Sequence, residues 1–218
     1  FHGDDYRYAA AGPRMSAERY LAVDLQNNFV FLEKGSREVV PIASLTKLVT
    51  ALVASEYINL DKTITVKSDM LATTSLPRLR AGEKIPAIDL LYPLLLESSN
   101  EAAKTFAKTL GERYFVALMN KKAKALGMLH TSLTDPAGSD ATNVASAEDL
   151  FQLGKYLKNN RSFVLKLTTG ELNRTAYGEA YFRNLENYNL FGGDPSFLGG
   201  KIGKTLAAKE TMLAVFDV

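Results

Sequence analysis

The stretch Pro41–Ala54, PIASLTKLVTALVA, sets a serine and a lysine one helical turn apart at the head of an apolar run. Leu45, Leu48, Val49, Leu52 and Val53 recur at i, i+3, i+4, i+7 and i+8, which predicts a helix with one buried stripe. Ser44 falls at its start, near backbone N–H groups without helical partners, and Lys47 projects from the same face three residues on. A serine hydroxyl is a poor nucleophile unless a base stands beside it. Lys47 can be that base if burial lowers its pKa until the amine is neutral. The plain alternative makes Ser44 a helix cap and Lys47 a solvated first-turn lysine. One such spacing is expected about once by chance in a chain of this length.

Upstream, Tyr20–Val23 and Phe29–Leu32 are short apolar runs flanking a polar centre, which predicts a β-hairpin within Arg19–Val40. Downstream come a strand-like piece at Asp61–Val66, a loop over Thr73–Ile85, and an apolar helix over Pro86–Glu97 in which Pro93 introduces a kink. Amphipathic helices follow over Glu101–Glu112 and Phe115–Leu126, with Gly127 placed to cap the second. Thr134–Asp140 is a turn cluster, and Ser146 with Asp149 marks a helix start running to about Leu157. Thr169–Gly200 lacks helical period, and Thr211–Val218 is strand-like. Strands, a long helical middle and strands again predict an α/β (α+β) fold whose terminal segments share one antiparallel sheet.

Two further motifs bear on the first. Ser98-Ser99-Asn100 offers a hydroxyl to relay a proton beside Lys47 and an amide to orient base and substrate, or simply caps the helix near Glu101. Lys201-Ile202-Gly203 places a cation at a Gly-rich strand entry where backbone can approach a ligand closely, or is an ordinary loop.

S-x-x-K, a Ser-x-Asn and a Lys-x-Gly in this order resemble the signature of penicillin-binding proteins and β-lactamases. The flanks Leu90–Ala103, Met128–Leu150 and Phe197–Thr205 are most similar to the D-alanyl-D-alanine carboxypeptidases, low-molecular-weight penicillin-binding proteins. The resemblance implies a β-lactamase/transpeptidase-like catalytic domain over residues 19–218, preceded by an N-terminal extension or processed segment at 1–18. It implies Ser44 as acylated nucleophile, Lys47 as general base, Ser98 as proton relay to the leaving amine, Asn100 as substrate-orienting amide and Lys201 as the cation for a substrate carboxylate. Ile202, Gly203, Lys204 and Thr205 would line the substrate, with the Ser44 and Lys204 N–H groups as oxyanion hole. No metal or organic cofactor is implied. The partners implied are a peptidoglycan stem peptide and β-lactams as covalent ligands.

The chain departs from the family at two points. Ile202 stands where the family has Thr or Ser, whose hydroxyl helps hold the substrate's terminal carboxylate. A hydrogen bond to a charged group contributes about 1.5–3 kcal/mol, so its loss costs about 10- to 150-fold. Either Thr205 and Lys204 compensate in part, or the substrate lacks a free carboxylate there, as for a DD-endopeptidase on cross-links. A peptidoglycan-binding relative with a weakened site is the further alternative. The sequence also ends at Val218, where the family's sheet normally gains another strand and a closing helix, so the expectation is an incomplete C-terminal end. Asp135–Asp149 carries no Glu-x-x-Leu-Asn segment to activate a deacylating water, which favours a target of β-lactams over a β-lactamase.

Other classes fit less well. Gly199–Thr205 looks like a phosphate cradle, but a P-loop needs Gly where Leu198 stands. A net charge of +2 gives no basis for a nucleic-acid partner, and the run Lys121-Lys122-Ala123-Lys124 reads as a solvated helix face. With no cysteine and 2 histidines, thiol chemistry is excluded and a His-built metal site is disfavoured. No segment approaches the ~20 apolar residues of a membrane span, so membrane association would come only through segments absent from this chain. Because peptidoglycan lies outside the cytoplasmic membrane, the resemblance implies an exported, extracytoplasmic protein.

Overall fold

A computed structural model of the protein describes residues 15–171, 174–175, 178–179 and 181–217. Of the 1–18 segment, residues 1–14 therefore lie outside the described residues. The predicted hairpin is present as β1 (Tyr20–Val23) against β2 (Val30–Lys34), antiparallel. After β3 (Val40–Pro41) a 3-10 turn at Ala43–Leu45 leads into α1 (Thr46–Tyr57). Next come β4 (Thr63–Thr65), β5 (Lys84–Pro86) and α2 (Leu91–Leu95). The long helices α3 (Asn100–Leu110) and α4 (Glu112–Ala125) follow, then β6 (Val144–Ala145), α5 (Ala147–Asn160) and α6 (Ser162–Thr169). The short pair β7 (Arg174–Thr175) and β8 (Gly178–Glu179) precedes the long hairpin of β9 (Phe197–Thr205) and β10 (Lys209–Phe216).

α1 is the centre of the molecule. Every residue from Thr46 to Ala54 is buried, so it has no single apolar stripe of the kind the spacing predicts. The correction has a physical reason: Ala51, Ala54, Thr46 and Thr50 are small, and their faces are covered as fully as the leucine face. The Thr50 hydroxyl is satisfied by the Pro136 carbonyl at 2.6 Å. Lys47 is likewise buried rather than a solvated first-turn lysine.

Most predicted elements hold within a residue or two. Ser146 and Asp149 form a reciprocal capping box at the start of α5. Gly127 (φ +82) ends α4 in a Schellman arrangement, with Met128 N–H on the Ala123 carbonyl and Gly127 N–H on that of Lys124. The apolar run at 86–97 divides into a 3-10 stretch, Ala87–Leu90, and α2, so that Pro93 lies in a first turn where its missing N–H costs little. The loop at 73–85 ends in β5, which pairs with β4. Of the basic run, Lys121 and Lys124 are exposed, whereas Lys122 is folded against Glu56 and the Tyr156 ring.

The terminal hairpins are antiparallel as predicted, but among the described residues they are separate two-stranded ladders. They are joined through α5, which packs on both β1 and β10, and through Lys209–Glu18 at 2.7 Å. Gly154 of α5 allows the close approach, facing Leu213 and Val215 of β10.

α6, unmarked by any period in the sequence, packs on β9 and explains its glycines. A Cβ on Gly199 (φ +136) would lie 2.3 Å from the Leu165 carbonyl oxygen, and one on Gly200 2.2 Å from that of Leu213. The Gly-rich segment is therefore a strand pressed between a helix and its neighbour strand, and no phosphate-binding loop. Replacing Gly199 by Ala is expected to destabilise the protein by about 2–4 kcal/mol, read as a fall in Tm, because both backbone conformation and space forbid a Cβ. Gly193→Ala, with nothing within 4 Å, is the control and should stay within about 0.5 kcal/mol of the parent.

Candidate active site

The 3-10 turn delivers Ser44 to the surface of the core while Lys47 stays inside it. Ser44 is half-buried and Lys47 has no solvent exposure. The Ser44 side chain caps nothing, since the residue at the cap position of α1 is Leu45 and makes no side-chain cap. Instead Ser44 Oγ lies 3.0 Å from Lys47 Nζ. Nζ also donates to the Ala137 carbonyl oxygen at 2.6 Å, contributed by the turn cluster after Thr134.

The backbone entering Ser44 is strained. Ala43 has φ +48, a left-handed conformation that costs a non-glycine residue about 1–2 kcal/mol. It is held there from three sides: Ile42 N–H donates to the Asn143 carbonyl at 3.0 Å, Thr211 Oγ1 donates to the Ile42 carbonyl at 3.1 Å, and Gly138 lies against the Ala43 carbonyl. A Cβ on Gly138 would fall 1.9 Å from that oxygen. Ser98 is the second strained residue of the site, at φ +59.

β9 closes the other wall. A Cβ on Gly203 would lie 2.8 Å from the Ser44 amide nitrogen, so glycine lets the strand backbone run directly past the Ser44 N–H. Lys201, 1% exposed, is close enough to Lys47 for the two cations to oppose one another's charge. Burial, then Lys201, lower the Lys47 pKa from 10.5 to about 7, against a smaller raising effect of Asp135. Burial alone lowers Lys201 to about 8. Neither lysine forms a salt bridge among the described residues.

The remaining sequence candidates divide. Ser99, not Ser98, caps α3 through Ala102 N–H at 3.2 Å, while Ser98 Oγ is buried without a hydrogen bond among the described residues. Asn100 Nδ2 donates to the Thr73 carbonyl at 2.8 Å, and Asn100 shares with Lys104, Ala137 and Asp140 a cleft of about 460 Å³. Ile202 N–H is held by Asn189 Oδ1 at 3.3 Å. The Lys204 ammonium pairs with Glu210 at the surface, and Thr205 Oγ1 accepts from Ala208 N–H within the β9–β10 turn, so both side chains are engaged away from Ser44. Ser44, Lys47, Lys201 and Gly203 are thus brought together. Ala137 and Gly138 belong to the same site and were legible only as turn residues.

Residues 7–216 match the family described as D-alanyl-D-alanine carboxypeptidase, peptidase family S11. The chain belongs to that family. A D-alanyl-D-alanine endopeptidase of Pseudomonas aeruginosa is 37% identical over 140 residues, 61% of this chain and 44% of its own length. One of Escherichia coli is 33% identical over 182 residues, 80% of this chain and 56% of its own length. The chain thus spans about half the length of these curated relatives. The crystal structure of a D-alanyl-D-alanine carboxypeptidase from Mycobacterium tuberculosis H37Rv superposes with a TM-score of 0.83 at 29% identity, over 94% of this chain and 80% of that one. The fold of this D-alanyl-D-alanine carboxypeptidase family member is therefore the penicillin-binding, transpeptidase-like one expected from the motifs.

Holding Lys47 neutral has a thermodynamic cost. Its folded pKa is depressed to about 7, so between pH 7 and 10.5 the unfolded chain binds more protons and stability rises with pH. At about 1.4 kcal/mol per pKa unit, the penalty at pH 7 is a few kcal/mol. Lys47→Met should consequently melt above the parent at pH 7, with the gap in Tm narrowing toward pH 10.

Proposed function

We propose that this protein is a serine DD-peptidase that cleaves the D-alanyl-D-alanine bond of peptidoglycan stem peptides through an acyl-enzyme on Ser44, and that β-lactams acylate the same serine. The observation that carries the reading is the half-buried Ser44 Oγ at 3.0 Å from a fully buried lysine whose pKa is about 7.

Neutral Lys47 takes the Ser44 proton as Oγ attacks the carbonyl carbon of the penultimate residue. The oxyanion so formed accepts hydrogen bonds from the N–H groups of Ser44 and Lys204, donors of a kind each contributing roughly 3–4 kcal/mol. Ser98, buried and without another partner, passes the proton to the leaving amine as the carbon–nitrogen bond breaks. Water then attacks the ester carbonyl, with neutral Lys47 taking its proton, and that proton passes to Ser44 Oγ as the carbon–oxygen bond breaks, which restores the free serine and the neutral base. Asn100 orients the substrate amide, Lys201 supplies positive potential for the terminal carboxylate, and Ile202, Gly203, Lys204 and Thr205 line its path. Peptidoglycan lies outside the cytoplasmic membrane, and the protein acts there. No helix among the described residues is long and apolar enough to cross a membrane.

Carboxypeptidase action on a free stem peptide is the primary reading. Ile202 favours a second one: without a hydroxyl for the terminal carboxylate, the site suits endopeptidase action on a cross-linked strand, and two relatives are named D-alanyl-D-alanine endopeptidases.

Incubation with a labelled penicillin should add one drug mass to the protein and none to Ser44→Ala. Absence of an adduct at saturating drug would support the inert peptidoglycan binder instead. The acylation rate should fall about tenfold per pH unit below pH 7 as Lys47 becomes protonated, and for carboxylate-bearing substrates should decline again above about 8 as Lys201 loses its charge. Ile202→Thr should raise hydrolysis of a muramyl pentapeptide by about 10- to 150-fold while changing cleavage of a cross-linked dimer little. Equal gains on both substrates would count against a carboxylate-selecting role for this position.

A further inference from the structure

The turn over residues 136–140 is organised by one carboxylate. Asp135 Oδ1 accepts from the N–H groups of Ala137 (2.7 Å), Gly138 (2.7 Å) and Ser139 (3.3 Å), and its Oδ2 from Asp140 N–H at 2.9 Å and from Asn143 Nδ2. With the loop's donors thus turned inward, its carbonyls face α1. Pro136 O receives Thr50 Oγ1–H at 2.6 Å, and Ala137 O receives Lys47 Nζ–H at 2.6 Å. A neutral amine carries two hydrogens and one lone pair. An N–H committed to Ala137 restricts the orientations in which the lone pair faces away from Ser44.

We infer that Asp135 is a positioning residue for the general base: its carboxylate folds the 136–140 turn so that the Ala137 carbonyl fixes Lys47 Nζ with its lone pair toward Ser44. The inference rests on the DD-peptidase reading for its consequence in catalysis, and on geometry alone for the arrangement itself. Asp135 also acts through space. Among the described residues, the charged groups that bear on Lys47 are Lys201 from β9, which opposes its protonation, and Asp135 from the turn, which favours it.

The test separates charge from geometry. In Asp135→Asn the carboxylate is lost, so the Lys47 titration, followed by NMR of isotopically labelled lysine side chains, should move below its parent value by up to about one pH unit. The pH-independent penicillin acylation rate should fall about tenfold to a hundredfold, because Nδ2 now confronts the N–H donors of the turn. Asp135→Glu keeps the charge on a longer arm, so its Lys47 should titrate close to the parent while the plateau rate still falls. Circular dichroism and Tm confirm that each variant is folded. An unmoved Lys47 titration together with an unchanged plateau in folded Asp135→Asn would overturn the proposal. If the parent itself forms no penicillin adduct, the DD-peptidase reading fails, whereas the Lys47 titration still decides whether Asp135 governs this amine.

Discussion

Lys47 is held out of water with no carboxylate in contact among the described residues, and this constraint organises the molecule. A buried ammonium without a counter-charge is so unfavourable that the group gives up its proton instead. The helix that carries it must then be covered on every side, which is why α1 runs through the centre and why its small and polar positions are buried along with its leucines. Its two uncharged contacts, a hydroxyl and a carbonyl, suit an amine that is neutral at working pH. Lys201 stands close by with the same sign and lowers the Lys47 pKa further, while retaining its own proton to a slightly higher pH. Burial thus lowers both lysines, and the nearby charge of Lys201 lowers Lys47 further.

The same geometry requires strain and close approach. Ala43 and Ser98 both occupy the left-handed region without being glycine, one immediately before Ser44 and one at the head of the Ser-x-Asn segment. Such conformations persist where surroundings over-determine them. Around Ala43 those surroundings come from parts of the chain distant in sequence: Asn143, Thr211, and the two glycines at 138 and 203 that let backbone pass where any side chain would collide. Ser44 is thus placed jointly by the helical lobe and by the C-terminal hairpin.

Much of this was legible in the sequence. The terminal hairpin, α3, α4 and the capping box of α5 each carry a local signal, and the S-x-x-K pair could be read from spacing once two other motifs accompanied it. What was not legible depends on long-range packing. The full burial of α1 arises because other elements cover faces whose residues are merely small. α6 is eight residues of SFVLKLTT, too short for a clear period, and is defined by its packing against Gly199. Asp135-Pro136-Ala137-Gly138 reads as a turn because Asp and Gly favour turns, yet the purpose of that turn lies in two carbonyls aimed at Lys47 and Thr50, which no local pattern encodes.

Ile202 shows how far the two halves of such a site can change independently. Its backbone is fixed by Asn189, itself buried and bonded to the carbonyls of Leu95 and Thr168, so the strand lies where it does whatever the side chain. Gly203 keeps its approach to the Ser44 amide, and Lys201 keeps its burial and its influence on Lys47. A β-branched apolar chain at this position suits the strand and leaves the Ser44–Lys47 contact untouched. In the proposed reading it removes one polar contact toward the end of the substrate. In this architecture Ser44 and Lys47 are locked by strain and burial, whereas position 202, which in the proposed reading selects the substrate's terminus, is a single half-buried side chain, free to vary at little cost to the fold.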